Sequence, residues 1–213
     1  MSYTRAELVL NIGCNLSSGR EKMNFSFIFV GSTHSFIDDF PKQEKIIKLM
    51  KPEFVLSEEL EDLKLDTESR FKEIFEKKFI SNTTSFEDVE KLIKLCFERK
   101  ISLIGIDFHN FGFDNNLQRK VKSQEGLTKE EEERLNSLIE EREEHHLSKI
   151  LEYKSKTKLP LIIILGCWHL RKNSLLRKRL KNYKIIAPLD EQGEVLFEPN
   201  NKKIRYGEII SNG

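Results

Sequence analysis

Leu161-Ile-Ile-Ile-Leu-Gly166-Cys-Trp-His169 is the stretch that decides the fold. Its apolar residues follow one another without a polar break, so neither side of the segment suits water. Rich in β-branched side chains, it reads as a strand buried on both faces, as strands of a parallel sheet are. A glycine closes the run and a histidine follows close behind. The same order recurs at Phe25-Ser-Phe-Ile-Phe-Val-Gly31-Ser-Thr-His34. Working outward, Phe54–Leu56, Ile101–Ile106 and Tyr183–Ile186 are further short buried strands, and Glu7–Ile12 is a candidate strand ahead of them. Between the runs lie helical patterns at Gln43–Met50 and Arg70–Phe79. Ser85-x-x-Asp88 opens a helix to about Arg99, Thr128-x-x-Glu131 opens the longest one, to about Tyr153, and a basic helix covers Ser174–Leu180. Alternating strands and helices predict an α/β fold, a mostly parallel central sheet flanked by helices. Asn110–Gly126 reads as a long surface loop. Gly193–Gly207 reads as a C-terminal β-hairpin with Asn200-Asn201 near its turn.

The 213 residues show neither an internal repeat nor a linker, so a single domain over 1–213 is expected. Apolar residues make up 38% and charged ones 33%, which fits a globular chain with a highly charged surface. Lys+Arg (36) and Asp+Glu (35) nearly cancel, so bulk charge gives no support to nucleic-acid binding. Cys14, Cys96 and Cys167 are widely spaced and form no Cys-x-x-Cys pair, which argues against a thiolate zinc site and against a disulfide framework. The N-terminus lacks the pattern of a secretory leader, and the longest apolar run is far short of the ~20 residues a membrane helix needs. A cytoplasmic protein without a membrane span is expected.

In a parallel sheet all strands point one way, so the residues just past their C-terminal ends collect along one edge, where α/β proteins bind ligands. Read in order, the strands deliver Gly31-Ser-Thr-His34, then Glu58-Glu59, then Asp107-Phe-His109, then Gly166-Cys-Trp-His169 to that edge. Water-facing loops often begin with polar residues, so one such end carries little weight. Four in succession bearing imidazoles or carboxylates point to a site that binds a divalent metal or exchanges protons near neutral pH. The glycine of Gly-x-x-His permits a sharp turn, a positive φ or close approach of a ligand to the backbone. Among the other candidates, Cys167 reads as a packing residue and Trp168 as a pocket wall.

The long helix adds a second signal. Leu135, Leu138, Ile139 and Ile150 mark an apolar stripe, and at roughly 100° per residue Arg142 and His146 fall within it. An inward guanidinium needs a carboxylate or an anionic ligand. Glu58, Glu59 or Asp107 is the expected partner. His146 reads chiefly as a packed helix residue, and His145 lies at the edge of the stripe. Glu130–Arg134 and Glu140–Glu144 read as a solvated face, and Arg171–Lys184 as a basic stretch.

With these residues in order, the chain resembles the TraB/Tiki-type family of the wider superfamily that includes the erythromycin esterase and ChaN-like proteins. The resemblance runs from about Phe25 to Leu180. It rests on Gly31-Ser-Thr-His34, on Pro52-Glu-Phe-Val-Leu-Ser-Glu58, on Ile-Gly-Ile-Asp107, and on Glu141-Arg142-Glu143 followed by Gly166-Cys-Trp-His169-Leu170. Two departures stand out. Glu59-Leu60-Glu61 follows Glu58, which leaves Glu58 and Glu59 open as the family's glutamate. Phe108 follows Asp107 where the family usually has arginine. The resemblance implies a hydrolase fold and, for Tiki-type members, metal-dependent peptidase activity. The esterase branch implies a histidine base, and the ChaN branch haem binding.

Together these readings predict a metal-dependent, peptidase-like hydrolase acting on a peptide or small molecule. His34, Glu58, Arg142 and His169 are the candidate catalytic residues. His34, Glu58, Asp107 and His169 are the candidate ligands of a divalent metal, Mn, Co or Zn, since two histidines with a carboxylate form an established ligand set. The alternatives are a protein that captures a peptide, a small molecule or haem without turnover, and a metal-free histidine-based esterase. A homodimer is left open.

Overall fold

The computed structural model describes residues 25–33, 39–123, 126–196 and 205–211. Seven strands among these residues form one sheet: β1 (Phe27–Ser32), β2 (Phe54–Ser57), β3 (Lys64–Leu65), β4 (Ser102–Gly105), β5 (Leu161–Gly166), β6 (Tyr183–Leu189) and β7 (Arg205–Ser211). Their order is β3-β4-β2-β5-β1-β6-β7. The inner five are mutually parallel, while β3 and β7 pair antiparallel at the two edges. The late strand β5 sits between β1 and β2, so its C-terminal end lies beside the ends of both.

The helices are α1 (Phe40–Met50), α2 (Glu68–Lys77), α3 (Phe86–Arg99), α4 (Asn115–Ser123), α5 (Lys129–Lys154) and α6 (Leu175–Arg179). The alternation of strand side chains assigns them to two faces. Phe27, Phe29, Leu161, Ile163 and Leu165 share one core with Ile150 and Tyr153 of α5 and Leu176 of α6. Ile28, Val30, Ile162 and Ile164 share the other with Ile47 of α1, Phe71 of α2 and Val89 and Leu92 of α3. β5 is buried at every position, as its unbroken apolar run requires. The helices begin where their caps say. Thr128 and Glu131 close a reciprocal capping box on α5, and Ser85 and Ser174 accept from the amides of Asp88 and Arg177 at the starts of α3 and α6.

Three expectations need correction. The segment after Asn110 is not a plain loop: a 3-10 turn at His109–Gly112 leads into α4. Asp114 starts that helix by accepting from the amides of Asn116 and Leu117, both at 2.9 Å. Few apolar residues mark α4, which hides its period in the sequence. The C-terminal hairpin pairs β6 with β7, Tyr183 opposite Ser211 through Leu189 opposite Arg205, so its first strand is an inner strand of the sheet and not the segment after Gly193. Asn200-Asn201, like Glu7–Ile12 and Cys14, lies outside the described residues.

The third correction concerns the glycine of the first motif. Gly31 lies inside β1, and a Cβ there would stand 2.8 Å from both the Ala187 Cβ and the Cys167 Sγ. It is small because β1, β6 and the turn after β5 converge on it. Gly166, at the end of the second motif's strand, has a φ of −54°, which any residue can adopt.

Candidate metal centre

An open cleft of about 780 Å³ crosses the C-terminal edge of the parallel strands. Glu58, Gly166 and His169 lie at its floor, and Ser32 and Thr33 bring in the end of β1. Glu87, Asp88 and Lys91 of α3 line it on one side of the sheet; Leu135, Ile139 and Arg142 of α5 line it on the other. The strand-edge reading therefore places the cleft. His34 lies outside the described residues.

Each floor residue is set by a local rule. Ser57 ends β2 and caps a 3-10 turn, Glu58–Leu60, by accepting from the Glu59 amide. That turn directs Glu58 inward: it is 5% exposed, and its Oε1 accepts from the Gly166 amide at 2.7 Å. Glu59 remains half-buried and accepts from the Ser32 hydroxyl at 2.9 Å. Both glutamates line the cleft, and Glu58 is the one that meets His169. His169 sits in the 3-10 turn Cys167–Leu170 directly after β5. Its Nε2 lies 3.7 Å from Glu58 Oε2 and its Nδ1 3.3 Å from Glu143 Oε1.

His146 of α5 completes the group. It is fully buried, and its ring meets that of His169 edge to face at 4.8 Å between centroids. Its Nε2 lies 3.0 Å from Asp107 Oδ2, close enough for an ion pair but without hydrogen-bond alignment, and neither ring nitrogen has a hydrogen-bond partner among the described residues. Burial holds the imidazole pKa below its ordinary value, against the opposing pull of Asp107. Glu58, His146 and His169 each offer a ligand atom, and these atoms all lie within 4.8 Å of one another. A buried set of one carboxylate and two imidazoles matches the donor chemistry that zinc and its first-row neighbours take.

Asp107 stands outside this group, behind His146. Arg142 holds it through Nε at 3.0 Å and Nη2 at 2.5 Å, and the Phe108 amide donates to it at 2.7 Å. Burial alone would raise the Asp107 pKa, but His146 and Arg142 together keep it well below the usual carboxylate range. Arg142 thus points inward, and Asp107 is its partner.

Glu143 is the residue that sequence reasoning missed. The glutamate run reads as solvated, yet Glu143 is 3% exposed. It accepts from the Leu175 amide at 2.8 Å and binds His169 and the Arg171 guanidinium. Burial opposes its charge, but these donors bring its pKa down to about 2. Neither Arg171 nor the amide is close to Glu143 in sequence, so no periodicity could show the match. His146 was placed in the α5 stripe but read as a packed helix residue, so its place beside Glu58 and His169 was missed as well. Asp39 was also unmarked; it lines the cleft and accepts from the Thr33 amide at 2.5 Å and from the Tyr206 hydroxyl. Burial pushes the Cys167 thiol up to about 12, which disfavours the thiolate and fits the reading of Cys167 as a packing residue.

No protein-family model matches the chain. No curated protein matches it either. Among solved structures, a likeness is found to ChaN of Campylobacter jejuni, described as binding haem cofacially. It has 15% identity and a TM-score of 0.49, and covers 90% of this chain and 89% of that one. A likeness of this extent carries nothing about ligand or reaction. The resemblance to TraB/Tiki-type proteins rests on the sequence motifs alone.

Proposed function

We propose that the cleft is a ligand-binding site with a divalent metal at its floor, and that the reaction it serves is hydrolysis of a peptide or ester bond. The observation that carries this reading is the buried convergence of Glu58, His146 and His169 within 4.8 Å, at the bottom of a cleft large enough for a small molecule or a peptide end. Zn, Mn or Co held there supplies Lewis acidity and a water more acidic than bulk. His34 follows Thr33, a cleft residue, and is proposed as a further ligand. Arg142 commits Nε and Nη2 to Asp107, and its Nη1 makes no hydrogen bond among the described residues. In this scheme Nη1 donates to the oxygen that gains charge as the bond breaks. Leu135, Ile139 and Phe111 exclude water from the side chain next to that bond.

The test is cleavage of a peptide and ester library by zinc-, manganese- and cobalt-loaded protein. Metal-dependent turnover that drops about 100-fold or more in Glu58→Gln and in Arg142→Lys is expected. Turnover that survives both substitutions, or that is indifferent to chelation, would contradict the proposal.

Capture without turnover is a second reading, favoured by the size and openness of the cleft. It expects tight ligand binding with no change in the ligand. Its haem form expects a Soret band on adding haem that disappears in His169→Ala. The carboxylates Glu59, Glu87 and Asp88 along the cleft are poor company for haem propionates.

A further inference from the structure

His146 and His169 are each backed by a carboxylate, and each carboxylate is clamped by an arginine. Behind His146 stands Asp107, 3.0 Å from Nε2, gripped by Arg142. Behind His169 stands Glu143, 3.3 Å from Nδ1, gripped by Arg171 and by the Leu175 amide at 2.8 Å. Arg142, Glu143 and His146 all belong to α5, at neighbouring positions on its buried face. The two arrangements differ in one respect: the first engages Nε2 of its imidazole, the second Nδ1.

That difference has a chemical consequence. A neutral imidazole carries a single N–H, and an ionised carboxylate can only accept. A carboxylate paired with arginine keeps its charge, so it fixes the imidazole proton on the nitrogen that faces it. His146 is then protonated at Nε2 and offers Nδ1. His169 is protonated at Nδ1 and offers Nε2, the nitrogen on the Glu58 side. Neither His146 nitrogen meets hydrogen-bond geometry among the described residues, and Nε2 is the one that has the Asp107 carboxylate at 3.0 Å.

We propose that Arg142–Asp107–His146 and Arg171–Glu143–His169 are two relays that lock the histidines in opposite tautomers, making Asp107 and Glu143 positioning residues for a mixed Nδ1/Nε2 ligand pair. The ligand role rests on the metal reading above; the tautomers do not.

The experiment is long-range ¹H–¹⁵N correlation NMR on the metal-free chain, with chelator, at mildly alkaline pH. The expected spectrum shows His146 as the Nε2–H tautomer and His169 as the Nδ1–H tautomer. In Glu143→Gln an amide N–H can donate to Nδ1, so His169 is expected to shift towards Nε2–H while His146 stays as it was. Arg171→Gln, a milder change, is expected to shift His169 the same way by a smaller amount. Zinc affinity in Glu143→Gln is expected to fall about 10- to 100-fold. The relays are overturned if either histidine holds the other tautomer in the wild type, or if His169 is unmoved in both variants. A wild type that takes up no zinc yet shows these tautomers supports the relays and overturns the metal reading.

Discussion

At Gly31 and Gly105 a single hydrogen atom decides whether the site's edge can close. A Cβ at Gly31 would meet the Ala187 Cβ and the Cys167 Sγ at 2.8 Å, and neither neighbour is the free end of a flexible chain. Gly31→Ala is expected to destabilise the fold by about 1–3 kcal/mol in urea unfolding, with little change in the slope of the transition. Gly105→Ala should cost more, because its Cβ would stand 2.2 Å from the Glu61 carbonyl oxygen, which is backbone. An Ala variant at Gly31 as stable as the wild type would show that the convergence relaxes freely. Position was legible in the sequence for Glu58 and His169, which follow apolar runs and line the cleft, whereas Asp107, read as a ligand, stands behind His146, and His34 lies outside the described residues. It was illegible at Glu143, whose partners Arg171 and the Leu175 amide come from elsewhere in the chain. Its position among exposed glutamates says solvent; only the packing of α6 against α5 says otherwise.

At the scale of the element, α5 does two jobs. Its C-terminal half packs Leu147, Ile150 and Tyr153 onto the sheet, while its earlier turns bring Leu135, Ile139 and Arg142 to the cleft. Its length and start were legible because the capping box and the apolar stripe agree. Thr128→Ala removes the reciprocal cap and is expected to cost about 1 kcal/mol, read as a lower thermal midpoint. The turn at His109–Gly112 is held differently. Asn110 and Phe111 take positive φ values of 52° and 53°, a conformation that bulky residues adopt only when held there. Glu61, 1% exposed, does the holding: it accepts from the Asn110 amide at 2.5 Å and from the hydroxyls of Ser81, Thr83 and Thr84. Glu61→Ala is expected to raise amide exchange across 109–112 and 81–84 while leaving β5 protected. Exchange that rises equally in β5 would mean the turn is not a separable unit. Nothing local predicts this clamp, since Glu61 and Asn110 are far apart in sequence. The two-residue strand β3 escaped for another reason: two residues carry no periodicity.

Across the whole molecule, the sheet order explains why the site lies where it does. The fold class was legible because the parallel strands are unbroken apolar runs. The insertion of β5 between β1 and β2 was not, because register is set by packing between distant segments. That insertion gathers Glu58 and His169 at the centre of the sheet edge, and α5 lays His146 against them. The buried charges also set the acid limit of stability. Glu143 has a folded pKa of about 2 against an ordinary 4.5, so its contribution is complete above about 4.5 and is lost as pH falls towards 2. Asp107 is depressed in the same direction. His146, kept neutral by burial, adds a loss that begins as pH falls through its unfolded value near 6.5. Urea midpoints of metal-free protein should therefore fall from pH 7 to pH 3, and Glu143→Gln should flatten the limb below about 4.5. A variant limb as steep as that of the wild type would contradict the assignment.

The most direct measurement on the candidate metal centre is calorimetric titration of chelator-stripped protein with zinc, wild type beside His146→Ala and His169→Ala, with folding of each checked by circular dichroism. The expected result is uptake of about one equivalent by the wild type and its loss in both folded variants. No uptake by the wild type, or full uptake by both variants, would contradict a metal held by Glu58, His146 and His169.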